Sequence, residues 1–389
     1  MPTPTILIVG AGLSGATIAE RCASMGAKVR IIEKRSHIGG NVYDEIDLKT
    51  GIRISRYGAH LFHTNDEEVW NYVNRFGEWQ RWDHAVIADV SGVYVPVPVN
   101  CTTVNSLLGT AIQTEEEMRS WLHRQQIPCE VPKNSEEVAL ARVGPTLYET
   151  LFRPYTVKQW GKEPAELEPS VLERIPIRAN FDSRYFSDKF QALPKFGYTG
   201  IVERILSHPN ISVELNCSWE KYLVSDSQDS KDSQDSKDSP PDEIIFTGPI
   251  DSYFKDAGLP PLEYRSIEFT WLRLPLSGYY QPNSVVNYPA AANPYTRCVE
   301  YKHFLHQKSD WTILSKETTC DIGEPYYPVP TQKNRELFGR YAALAAKTPN
   351  VHFVGRLASY KYYNMDQAIR AALDYFDENL SERLQASSS

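Results

Sequence analysis

"TILIVGAGLSGATIAERCASMGAKVRIIE", Thr5 to Glu33, decides the fold. A short apolar run stops at Gly10-x-Gly12-x-x-Gly15, a helical pattern follows to about Gly26, and a second apolar run spans Lys28–Glu33. Strand, glycine turn, helix and strand make a βαβ unit, the opening of a doubly wound sheet. Gly10 permits the tight turn, Gly12 lets a pyrophosphate approach the backbone, and Gly15 lets helix and strand pack closely. The helix N-terminus supplies N–H donors and partial positive charge to that anion. Glu33, closing the second strand, is placed to accept ribose hydroxyls.

Outward from this unit, "EKRSHIGGNVYD" carries a second flexible backbone stretch at Gly39-Gly40-Asn41. An extended FAD needs such backbone beyond its ribose, so FAD is expected rather than NAD. A matching seam lies near the C-terminus in "VHFVGRLASYKYYNMDQAIRAAL", Val351–Leu373. A strand returning there to the same sheet would bring a helix N-terminus near Asp366 beside the flavin, with Arg356 toward the pyrophosphate.

Capping boxes at Thr114-x-x-Glu117 and Asn134-x-x-Glu137 predict a mostly helical stretch over 101–175, with "VALARVGPTLYETLF" as one helix. The period then changes. In "SIEFTWLRL" (266–274), apolar and polar residues alternate, and "SVVNYPA", "RCVEYKHF" and "WTILSKE" continue as short antiparallel strands to about 317. Helix and strand resume at 333–347 and 351–354, and a final helix runs to about Leu384. The expected fold is α/β. A Rossmann-like FAD-binding domain is discontinuous over 1–80, 190–255 and 330–389. Into it are inserted a helical bundle over 100–175, with a mobile lid at 165–180, and an antiparallel β-sheet domain from 81–99, 176–189 and 256–329. "SQDSKD" occurs twice in tandem, and 225–242 reads as a disordered loop.

Composition narrows the function. With 41% hydrophobic and 23% charged residues, this is an ordinary globular chain, and no apolar run reaches membrane-span length. No secretory signal is visible, and the six scattered cysteines have no metal-ligand spacing, so a cytoplasmic protein without membrane insertion or metal is expected. A net charge of −8 argues against nucleic acid. Half of that charge sits in 225–242, with six Asp against two Lys, so an anionic ligand needs its own cationic pocket.

No protein nucleophile or acid–base pair appears at motif spacing. Instead there are "LFRPYTVKQWG" (151–161), "RIPIRANFDSRYF" (174–186), "NYPAAANPYTR" (287–297) and "PYYPV" (325–329). Separated arginines with many tyrosines suit a diphosphate: guanidiniums fork onto phosphate oxygens, phenols donate single bonds, and Trp160 or Tyr155 can stack on a base. Arg174 precedes Ile175-Pro176 and so stands where a helix ends.

With these stretches together with "YGAHLFHTN" and "FVGRLASYKYYNMDQ", the sequence resembles the prokaryotic UDP-galactopyranose mutases over nearly its whole length. The resemblance implies a dimeric FAD isomerase that interconverts UDP-galactopyranose and UDP-galactofuranose for galactofuranose glycoconjugates. There is no net redox change, and N5 of the reduced flavin is the nucleophile toward the anomeric carbon. Carried over by position, Arg174 and Arg297 hold the diphosphate, with Tyr185, Tyr327 and Tyr362 donating to it. Phe152, Tyr155, Thr156 and Trp160 form the uridine pocket, and Asn287 and Asn100 lie near nucleotide or sugar. His63 is expected near the reacting edge of the flavin. Gly10, Gly12, Leu13, Ser14, Gly15, Glu33, Gly40, Asn41, His60, Leu61 and Arg356 line the FAD, as do Tyr363, Asn364, Met365, Asp366, Gln367 and Ala368. Asn364 stands where many relatives carry Asp, and Ala59 where a proline is common. Two other classes fit the FAD layout, a flavin amine oxidase-like oxidoreductase and a non-catalytic binder. Within the mutases, the sugar could instead be N-acetylated, as in UDP-N-acetylgalactosamine.

Overall fold

The computed structural model describes residues 3–224 and 240–388. Most of the 225–242 insert lies outside the described residues. At its far end Asp242 is already anchored, its carboxylate accepting the Thr5 amide at 2.8 Å.

The expected βαβ unit is present as strand Thr5–Val9, helix Leu13–Ser24 and strand Lys28–Glu33. These strands sit inside a five-stranded, wholly parallel sheet in the order Ile211–Leu215, Lys28–Glu33, Thr5–Val9, Glu243–Phe246, Val351–Phe353. Both faces of a parallel sheet must be covered. On one face, Ile6, Ile8 and Ile31 pack with Ala16 and Ala19 of the first helix and with Ile369, Leu373 and Phe376 of helix Met365–Asn379. The final helix does not run unbroken to Leu384. It breaks at Leu380, and a second piece spans Ser381–Ser388.

The second large sheet has seven strands: Tyr327–Pro328, Tyr264–Leu274, Thr312–Cys320, Arg297–Glu300, Val285–Asn287, Val86–Val90 and Val93–Val97. It is antiparallel with one exception, since Val285–Asn287 runs parallel to Val86–Val90. The exception arises because nearly 200 residues of chain separate these two strands, so no hairpin constrains their direction. A three-stranded sheet of Phe62–Thr64, Phe190–Pro194 and Trp79–Arg81 lies apart from both.

The Thr114 capping box forms in full. At the second one Asn134 caps Glu137, but the Glu137 carboxylate takes the Lys133 amide instead. The helix behind it is not continuous. Gly144 adopts φ 75°, and a Cβ there would meet the Gln125 carbonyl oxygen at 2.2 Å, so only glycine fits. Pro145 and a wide π turn at Tyr148–Phe152 follow before helix Arg153–Trp160 begins. Such a turn shifts the helix phase and is common beside functional sites. Here it lets Leu151 and Phe152 line one cavity together with Tyr155 and Thr156.

Candidate active site

A cavity of about 450 Å³ opens where the sheets and the helical segment meet. It gathers the expected Asn41, His60, Leu61, His63, Phe152, Tyr155, Thr156, Trp160, Arg174 and Tyr185. Asn287, Arg297, Tyr327, Arg356, Tyr362, Asn364 and Met365 line it too. Residues from more than 300 positions of chain thus face one space.

Register places the central arginine. Asn287, Arg297 and Glu317 stand side by side on three adjacent strands, because Asn287 pairs with Arg297 and Arg297 pairs with Glu317. Arg297 Nε donates to Glu317 Oε2 at 2.6 Å, and Glu317 is 1% exposed. Sequence reasoning missed Glu317. Its signal was a carboxylate sharing one strand face with Ile313, Ser315 and Thr319, a placement that requires a buried cation as partner.

Arg174 follows the short helix Ser170–Glu173, is exposed, and lays its guanidinium 4.1 Å from the centre of the Tyr362 ring. Arg356 approaches the same ring at 5.3 Å, and Tyr327 stacks on it at 5.4 Å. Burial alone would raise the Tyr362 phenol, but Arg174 first, then Arg356 and Arg297, outweigh it and hold the phenol at about 8. Three guanidiniums around one phenol form the cationic pocket that a chain of net charge −8 needs for an anion. Trp160 meets both Tyr327 and Tyr362 edge-on at 6.2 Å, and burial pushes the Tyr155 phenol up to about 12.

His63 stacks on Phe186 at 3.6 Å, and its Nδ1 meets the Asp188 carboxylate at 3.1 Å. Neither neighbour stands out in the sequence. Nε2 is left as the ring's one other polar atom. His60 is half-buried against the cavity with Nδ1 on the Gly58 carbonyl, and desolvation drops it to about 4, so it is neutral at working pH.

The glycine turn adjoins this cavity. The Gly39 amide donates to the Ala11 carbonyl at 2.9 Å, which lays the second glycine stretch on the first. A Cβ on Gly40 would sit 3.0 Å from Gly12 Cα, tighter than ordinary contact, so the two backbones pass closely here. Glu33 accepts the Ala11 and Arg35 amides, each at 2.9 Å, and so braces the turn as well as facing it. Helix Leu13–Ser24 begins at Gly12 with no side-chain cap and no acidic residue in its first turn. The N-terminus of helix Met365–Asn379 comes alongside, with the Ser14 hydroxyl reaching the Ala368 carbonyl at 3.5 Å. Gln367 caps the Asn364 amide, the Tyr363 carbonyl accepts from Arg356, and Asp366 Oδ1 is buried with no partner among the described residues. The two helix ends with the crossed glycine backbones suit an anion, while Asp366, in the first turn of the second helix, offsets part of that helix's positive end.

Asn100 departs from expectation. It is fully buried and caps helix Cys101–Leu108. Its side chain accepts from the Thr103 amide and donates to the Asp182 carbonyl and the Ser183 hydroxyl. The strong N-capping preference of Asn takes this side chain away from the cavity.

The UDP-galactopyranose mutase family model matches residues 150–362, and an NAD(P)-binding Rossmann-like model matches residues 8–76. A probable UDP-galactopyranose mutase of Klebsiella pneumoniae is 38% identical over 98% of this chain and 96% of that protein. The dTDP-fucopyranose mutase of Escherichia coli is also 38% identical, over 95% and 96%. Among solved structures, a reduced UDP-galactopyranose mutase shares the fold with TM-score 0.74 at 16% identity, covering 98% of this chain and 95% of that one. A putrescine oxidase shares it with TM-score 0.59 at 13% identity, over 99% and 100%. The fold alone therefore does not separate isomerase from oxidase.

Proposed function

The chain belongs to the UDP-galactopyranose mutase family, and on that premise we propose that it interconverts UDP-galactopyranose and UDP-galactofuranose without net redox change. The observation that carries this reading is the convergence of Arg174, Arg297 and Arg356 with an aromatic slot on one cavity beside a dinucleotide cradle. FAD is the cofactor of this isomerase, and the Gly12–Gly40 crossing, the uncapped helix end and Glu33 suit its pyrophosphate and ribose. Asn41, His60, Leu61, Arg356 and residues 363–368 would complete its bed. Bound in its reduced form, FAD would supply the nucleophilic electron pair for the anomeric carbon that no side chain of this cavity offers.

The protein's own part is to hold, orient and exclude. Arg297, fixed by Glu317, stands ready for the diphosphate as negative charge builds on it. Preset donors of this kind are typically worth about 3 kcal/mol each. Arg174, itself exposed at the end of a short helix anchored by buried Val171 and Leu172, closes over the phosphates and keeps water out. Phe152, Tyr155 and Trp160 flank the base, while Thr156, Tyr185 and Asn287 offer hydrogen bonds. His63, locked by Asp188 and Phe186, presents Nε2 in a single orientation. Asn364 stays neutral, so no carboxylate from this position faces the sugar. A homodimer and a cytoplasmic location complete the proposal. Among the described residues, no helix is long and apolar enough to cross a membrane.

The test is anaerobic turnover of UDP-galactofuranose, with products separated by anion-exchange chromatography. Reduced protein is expected to form UDP-galactopyranose without consuming reductant, and oxidised protein to be inactive. Peroxide formation with substrate would favour the oxidase class instead. The Escherichia coli relative gives dTDP-fucopyranose a place in the same assay, and preferential turnover of that substrate would reassign the nucleotide and sugar but not the reaction.

The Tyr362 phenol sets a pH dependence. Below about 8 it is neutral and donates to the diphosphate; above that pH the phenolate holds Arg174 for itself and repels the ligand. UDP affinity is expected to be full at neutral pH and to fall by up to about tenfold per pH unit as the phenol ionises. Titration calorimetry from pH 7 upward reads this, and Tyr362→Phe flattens the profile.

A further inference from the structure

Gln159 lies in the last turn of helix Arg153–Trp160, lines the cavity and is 8% exposed. Its side-chain oxygen Oε1 is buried and meets no donor among the described residues. Its backbone carbonyl is already taken, accepting from Arg265 Nε at 3.1 Å. A buried amide oxygen that has lost water and gained no donor is costly, and such groups in folded proteins call for a specific partner.

Helical spacing identifies its companions. Tyr155 and Thr156 precede Gln159 by four and three residues, so the three share one face of the helix. The cavity that these residues line has apolar wall in it, with Ala88, Val99 and Leu151 among its members. A buried, unfilled acceptor beside the Tyr155 ring suits a planar heterocycle that carries an N–H, or the sugar ring attached to it. A diphosphate offers this oxygen only more acceptors. The hexose must reach the cofactor side, which His60, His63 and Met365 line from other elements.

We propose that Gln159 is a specificity residue for the nucleotide, its side-chain carbonyl accepting a hydrogen bond from an N–H or O–H of the nucleoside. This rests on the reading of the cavity as a nucleotide-sugar site. Of the nucleoside's donors the proposal takes two, the imide N–H of the base and the 2′-hydroxyl that separates ribose from deoxyribose. They differ in consequence. An imide reader treats uracil and thymine alike and so accepts both UDP and dTDP ligands, whereas a 2′-hydroxyl reader rejects the deoxy nucleotide.

The experiment uses the full chain with its flavin and measures affinity for UDP, 2′-deoxy-UDP, the diphosphate of 3-methyluridine, and inorganic pyrophosphate. Gln159→Leu is expected to weaken UDP about tenfold or more and to leave pyrophosphate unchanged. In the wild-type protein, the ligand lacking the relevant donor should lose a similar factor and be insensitive to Gln159→Leu. That ligand is the 3-methyl compound if the base is read and the deoxy compound if the ribose is read. Unchanged UDP affinity in the variant overturns the proposal, as does equal wild-type affinity for all three nucleotides. If wild-type protein does not bind UDP at all, it is the underlying reading that fails. Should Gln159→Leu not retain flavin, Gln159→Met gives the same comparison with a side chain closer in shape.

Discussion

Replacing Arg297 by alanine is expected to lower kcat for UDP-galactofuranose by about two to three orders of magnitude, the loss typical of one preset donor to a developing anion. The change also strands Glu317, which is 1% exposed and has Arg297 as its ion-pair partner. A buried carboxylate that loses its cation typically costs about 3–5 kcal/mol, so the variant should melt earlier as well. Arg297→Ala with Glu317→Gln removes the stranded charge. This double variant should regain much of the melting temperature while kcat stays low, which separates catalysis from folding. Near-normal kcat in either variant would remove Arg297 from the mechanism. Arg174→Ala, with no buried partner to strand, should lose rate with little change in melting temperature.

Gly15→Ala is expected to produce a protein without flavin. A Cβ there would lie 2.1 Å from the Gly10 carbonyl oxygen and 3.2 Å from Ile8 Cγ2. Relief means moving either the turn that cradles the pyrophosphate or the helix whose end faces it. Overpacking of this kind costs about 1–3 kcal/mol, which, taken wholly from cofactor binding, is about a five- to 150-fold loss of FAD affinity. Visible flavin absorbance per polypeptide after gel filtration reads the outcome, with circular dichroism confirming that the rest has folded. Full flavin content in this variant would mean that the cradle lies elsewhere.

These two sites differ in how far the sequence exposed them. The glycine turn is local: its strand, spacing, helix and closing acid are contiguous, so Gly10, Gly12, Gly15 and Glu33 could be placed without a partner from afar. Arg174, Arg297 and the tyrosines were legible as a set because so many cations and phenols lack another purpose. What escaped was whatever depends on pairing across the chain. Glu317 acquires its meaning from the strand register with Arg297, and Asp188 from the ring of His63. Asn100 went the other way, because a polar residue near the site can be consumed by the helix it caps. The parallel strand pair and the break at Gly144 were equally hidden, the first because it joins distant segments, the second because capping signals mark only where a helix begins.

The placement of Val351–Phe353 at one edge of the parallel sheet has a consequence for biosynthesis. The strand and the helix after it are translated more than 300 residues after the glycine turn, and on the proposed function they bring Arg356 and the second helix end to the cradle. Flavin loading must therefore wait until helix Met365–Asn379 has been made, and a nascent chain stalled before it has only half a bed for the coenzyme. A premature stop codon shortly before position 351 should give a polypeptide that emerges colourless and is cleared by proteases, even though every glycine of its opening turn is intact.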